Sequence, residues 1–284
     1  MKNWFHKKQK KERYTPILPD DPEEAKIQEQ EEKVRDAKQR QILHDYTPVP
    51  PERQTSVQEE QESKKEPEND PLAGAKYCSK DIFSRLLHAA EEADHRVNCR
   101  TVLLLSSGLA GYACQAVVWE EQKETGKSLF LKTTGPDGQT YLFGNAIDKY
   151  LLTDKNSVWR MTKGVFQKRH PELEAPDIDE IRKRVEAGIQ TPGYQYHTIV
   201  NPGQYLYHYG KMWEHELPYL TQSCNSYHEW PLVYNMVLQY ALQFSDRDMN
   251  PVEAVDFSME NAFFASMPDQ STLDLSKRPV KVES

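Results

Sequence analysis

From Thr101 to Trp119 the chain reads TVLLLSSGLAGYACQAVVW, without a single charged residue. No other segment constrains the fold as tightly, because this run must be taken out of water by a membrane, by a sheet or by other helices. A membrane span needs about 20 predominantly apolar residues, and the length nearly fits. Ser106, Ser107, Gln115 and two glycines dilute it, however, and the later helices read as amphipathic, so no transmembrane segment is expected.

A second reading makes TVLLL a strand, SSGLAG a turn and YACQAVVWEEQ a helix. Ser106, Gly108 and Gly111 would then form the phosphate turn of a dinucleotide-binding unit, whose glycines permit a tight turn and close approach to the pyrophosphate. That reading carries an alternative function, a nucleotide-dependent enzyme such as an oxidoreductase. The match is incomplete: Ser106 stands at the place of the first glycine, and SLFLKT ends on no acidic residue to hold a ribose hydroxyl. Lys132 there suits at best a 2'-phosphate.

The third reading is one long helix over about 99–123, capped near Asn98 and ended at Gly126. Leu104, Gly108, Gly111 and Gln115 then share a face, while Val102, Leu105, Leu109, Ala113 and Val117 spread apolar contact round the rest. A helix that is apolar nearly all round belongs in the middle of a bundle. Each Gly costs about 1 kcal/mol relative to Ala, yet it lets a neighbouring helix come close. This is the reading we adopt.

The rest of the chain is consistent with it. Only 37% of the residues are apolar, against the roughly 45–50% usual for a globular domain. The deficit lies before Ala75, where Gln, Glu, Lys and Pro crowd the sequence. We therefore expect a charged, disordered tail over 1–75, a single mainly helical globular domain over 76–267, and a frayed tail over 268–284. A charged helix is possible at 22–43, with too few apolar residues for a coiled-coil seam. Residues 1–13 carry Lys2, Lys7, Lys8, Lys10, Lys11 and Arg13 beside Trp4 and Phe5, a composition suited to weak contact with an anionic surface.

Within the domain, Ser79 is the expected cap of a helix carrying Ile82, Leu86, Ala90, Ala93 and Val97. KSLFLKTT and QTYLFG flank Gly135 to Gly138 and predict a β-hairpin over about 127–143. Gly144 is expected at the tight exit and Asn145 at the helix cap that follows. Ser157, Asp177 with Glu180, Pro231 and Asn250 with Pro251 mark four further helix starts. A short helix is expected near Tyr205 to Leu217. The fold class is thus α+β, mainly helical, with helices packed round a central buried one and a single hairpin.

Candidate sites are few. His88, Glu92 and His95 recur at helical spacing and could present two imidazoles and a carboxylate to Zn or Fe(II), although a solvated helix face shows the same spacing. Cys224 and His228 lie four apart, a spacing open to a zinc pair or a nucleophile and its base, but better explained as a loop entering the helix at Pro231. The aromatic segment with Tyr194, Tyr196, Tyr205, Tyr207, Tyr209 and Trp213 offers apolar faces with polar tips. From it Tyr196, Tyr205, Tyr207 and Trp213 are taken as a partner or ligand surface.

No Walker-type loop, nucleophile elbow, kinase signature or paired zinc motif occurs, so no cofactor is expected. A net charge of -8 argues against a general nucleic-acid binder. The four cysteines are scattered and are expected to be reduced thiols. No secretory leader is legible, which suggests a soluble cytoplasmic protein. The expected function is a non-enzymatic interaction or scaffold module that binds a protein partner or itself. The nucleotide enzyme and a metal-binding helical protein are its alternatives.

Overall fold

The computed structural model describes residues 70–91, 97–191, 202–273 and 275, all within one compact unit, Tyr46–Ser284. The helix expected at 22–43 and the basic residues 1–13 lie outside them. Of the expected tail, residues 70–75 are structured: α1 runs Ala73–Ala89, so its start precedes the cap expected at Ser79. Ser79 is instead fully buried inside the helix, and its hydroxyl donates to the Lys76 carbonyl. The helix ends before Ala93 and Val97, and Val97 bridges back to Glu91 in antiparallel fashion.

Helix α2, Cys99–Thr125, is the uncharged stretch in one unbroken piece. The Asn98 side chain accepts from Thr101 N at 3.1 Å, and Gly126 ends the helix in the left-handed region at φ 65°. Among the described residues it is the one helix long and apolar enough to cross a membrane, and 94% of its most apolar window is buried by the rest of the protein.

The hairpin follows, β1 Leu131–Thr134 and β2 Thr140–Phe143, with Leu131 opposite Phe143 and Thr134 opposite Thr140. Its turn is held by Gly135 N donating to Gln139 O and by Asp137 Oδ1 accepting from Gln139 N, with Gly138 at φ 78°. Gly144, at φ 127°, is itself the cap position, and Asn145 is the first residue of α3, Asn145–Asp148. That short helix continues as one π turn, Lys149–Thr153.

Helices α4 (Val158–Arg169), α5 (Ile178–Ile189), α6 (Pro202–Ser223), α7 (Trp230–Ser245) and α8 (Pro251–Ser266) complete the fold. The starts of α4, α5, α7 and α8 fall where the sequence marks them. Ser157 accepts from Arg160 N, Asp177 from Asp179 N and Glu180 N, and Asn250 from Val252 N and Glu253 N. Helix α6 is longer at both ends than the expected Tyr205–Leu217.

Helix α2 packs chiefly on α7 and α8, and also on α1 and α6, so it is the axis of the bundle. Its small residues set the spacing. A Cβ on Gly111 would sit 2.0 Å from the Ala262 carbonyl oxygen of α8, and one on Gly108 would sit 2.2 Å from the Tyr209 ring of α6. With no side chain at 108, the carbonyl of Leu104 one turn earlier stays open to neighbours. Asn261 Nδ2 donates to it at 2.7 Å and to Ser107 Oγ at 2.9 Å, while the Tyr209 hydroxyl lies 3.2 Å from the same carbonyl and 3.1 Å from Asn261 Oδ1.

Gln115, fully buried, joins α2 to the chain leaving α8. Its Nε2 donates to the carbonyls of Ser266 and Pro268, each at 2.8 Å, and its Oε1 accepts from Gln270 N and Trp119 Nε1. The same exit segment is bound to β2, since Leu142 N donates to Met267 O and Asp269 N to Thr140 O. The boundary expected at 268 therefore falls inside structured protein. Asp269 is buried, Gln270–Thr272 forms a 3-10 turn, and Leu275 packs on Gly210.

Candidate recognition surface

Helices α1 and α6 run antiparallel, and the sequence explains how closely. A Cβ on Gly74 would lie 2.0 Å from the Ser223 carbonyl oxygen, so only glycine lets the start of α1 meet the end of α6. Further along, Arg85 NH1 pairs with Glu216 at 2.8 Å and its NH2 with Asp81 at 2.6 Å. The Arg85 guanidinium also lies 4.9 Å from the centre of the Tyr219 ring. Glu216 is nearly enclosed, at 7% side-chain exposure, so its charge is sustained by Arg85 rather than by water.

Arg85 itself is half-buried, at 35% side-chain exposure. Tyr77 is 71% exposed, one of two large apolar side chains so placed among the described residues, the other being Leu131 on β1. Tyr219 is half-buried. Burial, then the nearby Asp81 carboxylate, pushes its phenol up to about 12. The seam thus offers two tyrosines and an arginine already fixed by ion pairs, which lowers the entropy that a partner must remove on binding.

The residues singled out from sequence divide sharply. Tyr205 and Tyr207 are half-buried on α6, Tyr205 stacked on Tyr209 at 6.4 Å. Trp213 is a correction: only 7% exposed, it packs between Tyr112, Trp230 and Tyr234 at 5.5, 5.6 and 5.9 Å and is a core residue joining α2, α6 and α7. Tyr209 is likewise buried, since its ring fills the space above Gly108. Tyr196, with Tyr194, lies outside the described residues.

Ser106, Gly108 and Gly111 form no strand-to-helix turn. They sit in mid-helix, and the Ser106 hydroxyl bonds back to the Val102 carbonyl at 2.7 Å. Their small size serves helix packing, not a pyrophosphate. Of the proposed metal ligands, His88 is exposed, 3.9 Å from Glu91, while Glu92 and His95 lie outside the described residues. Among the described residues no three His, Cys, Asp or Glu side chains gather as a metal site.

Cys224 does not meet His228 as a nucleophile meets its base, because the His228 ring turns to Tyr150 instead. Burial pushes the Cys224 thiol up to about 11, and burial followed by Cys224 itself pushes Cys78 to about 12, so neither is an activated nucleophile. Tyr77 and Tyr219 were not visible as a pair in the sequence. They lie on different helices, which the close contact at Gly74 and the Arg85–Glu216 pair bring together. Comparison of the chain with protein-family models, curated proteins and solved structures returned no match.

Proposed function

We propose that this protein is a soluble, cytoplasmic, non-enzymatic interaction or scaffold module that binds a protein partner, or a second copy of itself, through the α1–α6 seam. The observation that carries the reading is the 71% exposure of Tyr77 next to Tyr219 and the ion-paired Arg85. Tyr and Arg are the side chains over-represented among residues that dominate binding energy. Tyr205 and Tyr207 extend the surface along α6, and the basic residues 1–13 add weak contact with anionic surfaces.

The test compares wild type, Tyr77→Ala and Tyr207→Ala by light scattering for self-association, and by proximity labelling in cells for a protein partner. Both side chains are at least partly exposed, so both variants keep wild-type stability within about 0.5 kcal/mol. Tyr77→Ala is expected to weaken association by about tenfold or more. A monomer at every concentration, together with identical labelling by wild type and Tyr77→Ala, overturns the proposal. Trp213→Ala is unsuited to this test, because removing a buried Trp costs about 3–5 kcal/mol and perturbs the fold itself.

A further inference from the structure

On the side of the bundle where α3 gives way to its π turn, an open cleft of about 460 Å³ is lined by Lys149, Tyr150, Asp154, Asn156, His228 and Glu229, with Leu72, Pro231 and Leu232 as its apolar wall. π turns recur at functional sites, and this one delivers Lys149 and Tyr150 together. Behind them Glu121, near the end of α2, accepts the Tyr150 hydroxyl proton at 2.5 Å. A phenol has one proton, so the Tyr150 oxygen can only accept from its other neighbours. Those neighbours are Lys149 Nζ at 3.0 Å and His228 Nδ1 at 3.0 Å.

It follows that Nδ1 of His228 carries its proton and donates it to Tyr150. In the neutral ring Nε2 is then a lone-pair acceptor, and among the described residues nothing bonds to it. The Tyr227 ring, 4.2 Å away, steadies the imidazole. The charges sort equally clearly. Lys149 is neutralised by Glu121 at 3.3 Å. Asp154 bonds only the Asn156 amide and Glu229 only Asn225, so neither carboxylate has an ion-pair partner among the described residues.

We infer that this cleft binds a small organic cation, a short alkyl chain ending in a guanidinium or ammonium group. The charged group would lie between Asp154 and Glu229, an N–H would donate to His228 Nε2, and the chain would run along Leu72, Pro231 and Leu232. A divalent cation takes six or more oxygens, so with only two carboxylates lining the cleft it would have to keep most of its water, and the Mg²⁺ control tests that case directly. An anion would meet two carboxylates and a lysine already paired.

The experiment is calorimetric titration of the full chain with agmatine and, separately, with the peptide acetyl-Gly-Arg-Gly-amide. Inorganic phosphate and Mg²⁺ serve as controls. Agmatine or the peptide is expected to bind, and the tighter of the two identifies the source as a free amine or a polypeptide side chain. Asp154→Asn is expected to weaken that binding about two- to fivefold, the range for a solvent-exposed charge pair. Glu229→Gln reads the same loss should Asp154→Asn fold poorly. Tyr150→Phe releases the His228 tautomer and is expected to shift its ring signals in NMR as well as weaken binding. The inference is overturned if neither cation binds by roughly 10 mM, if phosphate or Mg²⁺ binds in their place, or if neither carboxylate variant changes the affinity.

Discussion

Replacing Gln115 with Leu keeps the volume of a fully buried side chain while removing all four of its hydrogen bonds. Two acceptors are stranded where water cannot follow, the Ser266 and Pro268 carbonyls, each of which has Gln115 as its partner. An orphaned buried polar group costs about 1–3 kcal/mol. The other two partners, Gln270 N and Trp119 Nε1, belong to half-buried residues and can recover water, so their loss adds little. We expect a loss of about 3 kcal/mol or more, a large part of the roughly 5–15 kcal/mol that holds a typical domain folded. In thermal unfolding that corresponds to a fall of about 6–12 °C.

Because the bond to Pro268 also anchors the hairpin, amide exchange at Leu142 and Asp269 should accelerate more than exchange on α5 does. Gln115→Glu sharpens the test. A carboxylate cannot donate to two carbonyls, so burial raises its folded-state pKa above the unfolded value. Such a group supports the fold below the unfolded pKa of about 4.3, and its contribution is lost as pH rises. The penalty relative to wild type must therefore grow from pH 4 to pH 7. A Gln115→Leu cost below about 1 kcal/mol, or a Gln115→Glu penalty that shrinks with rising pH, would refute the clamp.

Gly108→Ala should cost several kcal/mol, about 3 or more, because its Cβ meets the Tyr209 ring at 2.2 Å; denaturant titration should find it partly rescued by Tyr209→Leu, whereas a nucleotide turn gives no such coupling. Arg184→Ala leaves the fully buried Glu260 without the donor now 3.1 Å away, and should destabilise by about 3–5 kcal/mol, clearly more than Glu260→Gln does in the same urea titration. Alkaline pH should also unfold the protein. Burial pushes Tyr112, Tyr240 and Cys78 each up to about 12, so above pH 9 to 10 the unfolded chain releases protons that the folded one keeps. Stability then falls with rising pH, by up to about 1.4 kcal/mol per pH unit for each such group, and a flat stability from pH 8 to 11 would contradict the assignment.

Much of the architecture is written locally. Asn98, Ser157, Asp177 and Asn250 cap the helices they precede, because a short side-chain acceptor satisfies amides only one turn away. The hairpin turn is equally local, since Asp137 and Gly138 supply its hydrogen bond and its positive φ without help from the rest of the chain. The absence of charge from Thr101 to Trp119 likewise dictates that something must enclose that segment.

What encloses it is a tertiary matter. Gly108 and Gly111 look the same in a phosphate turn as in a helix crossing, and only Tyr209 and Ala262, distant in sequence, show that packing claims them. Trp213, expected on a surface, and Tyr77, which the sequence did not single out, are placed by tertiary contacts. The first is covered by Tyr112, Trp230 and Tyr234 from two other helices, while the second stays in water at 71% exposure. The cleft was illegible for the same reason, because Glu121, Tyr150 and His228 come from three separate segments. Sequence by itself determined where helices and turns form, since capping, φ preference and periodicity act over one or two turns. Tertiary structure alone decided which small residues are contacts, which aromatics are core and which polar groups share a proton, because those outcomes depend on partners far along the chain.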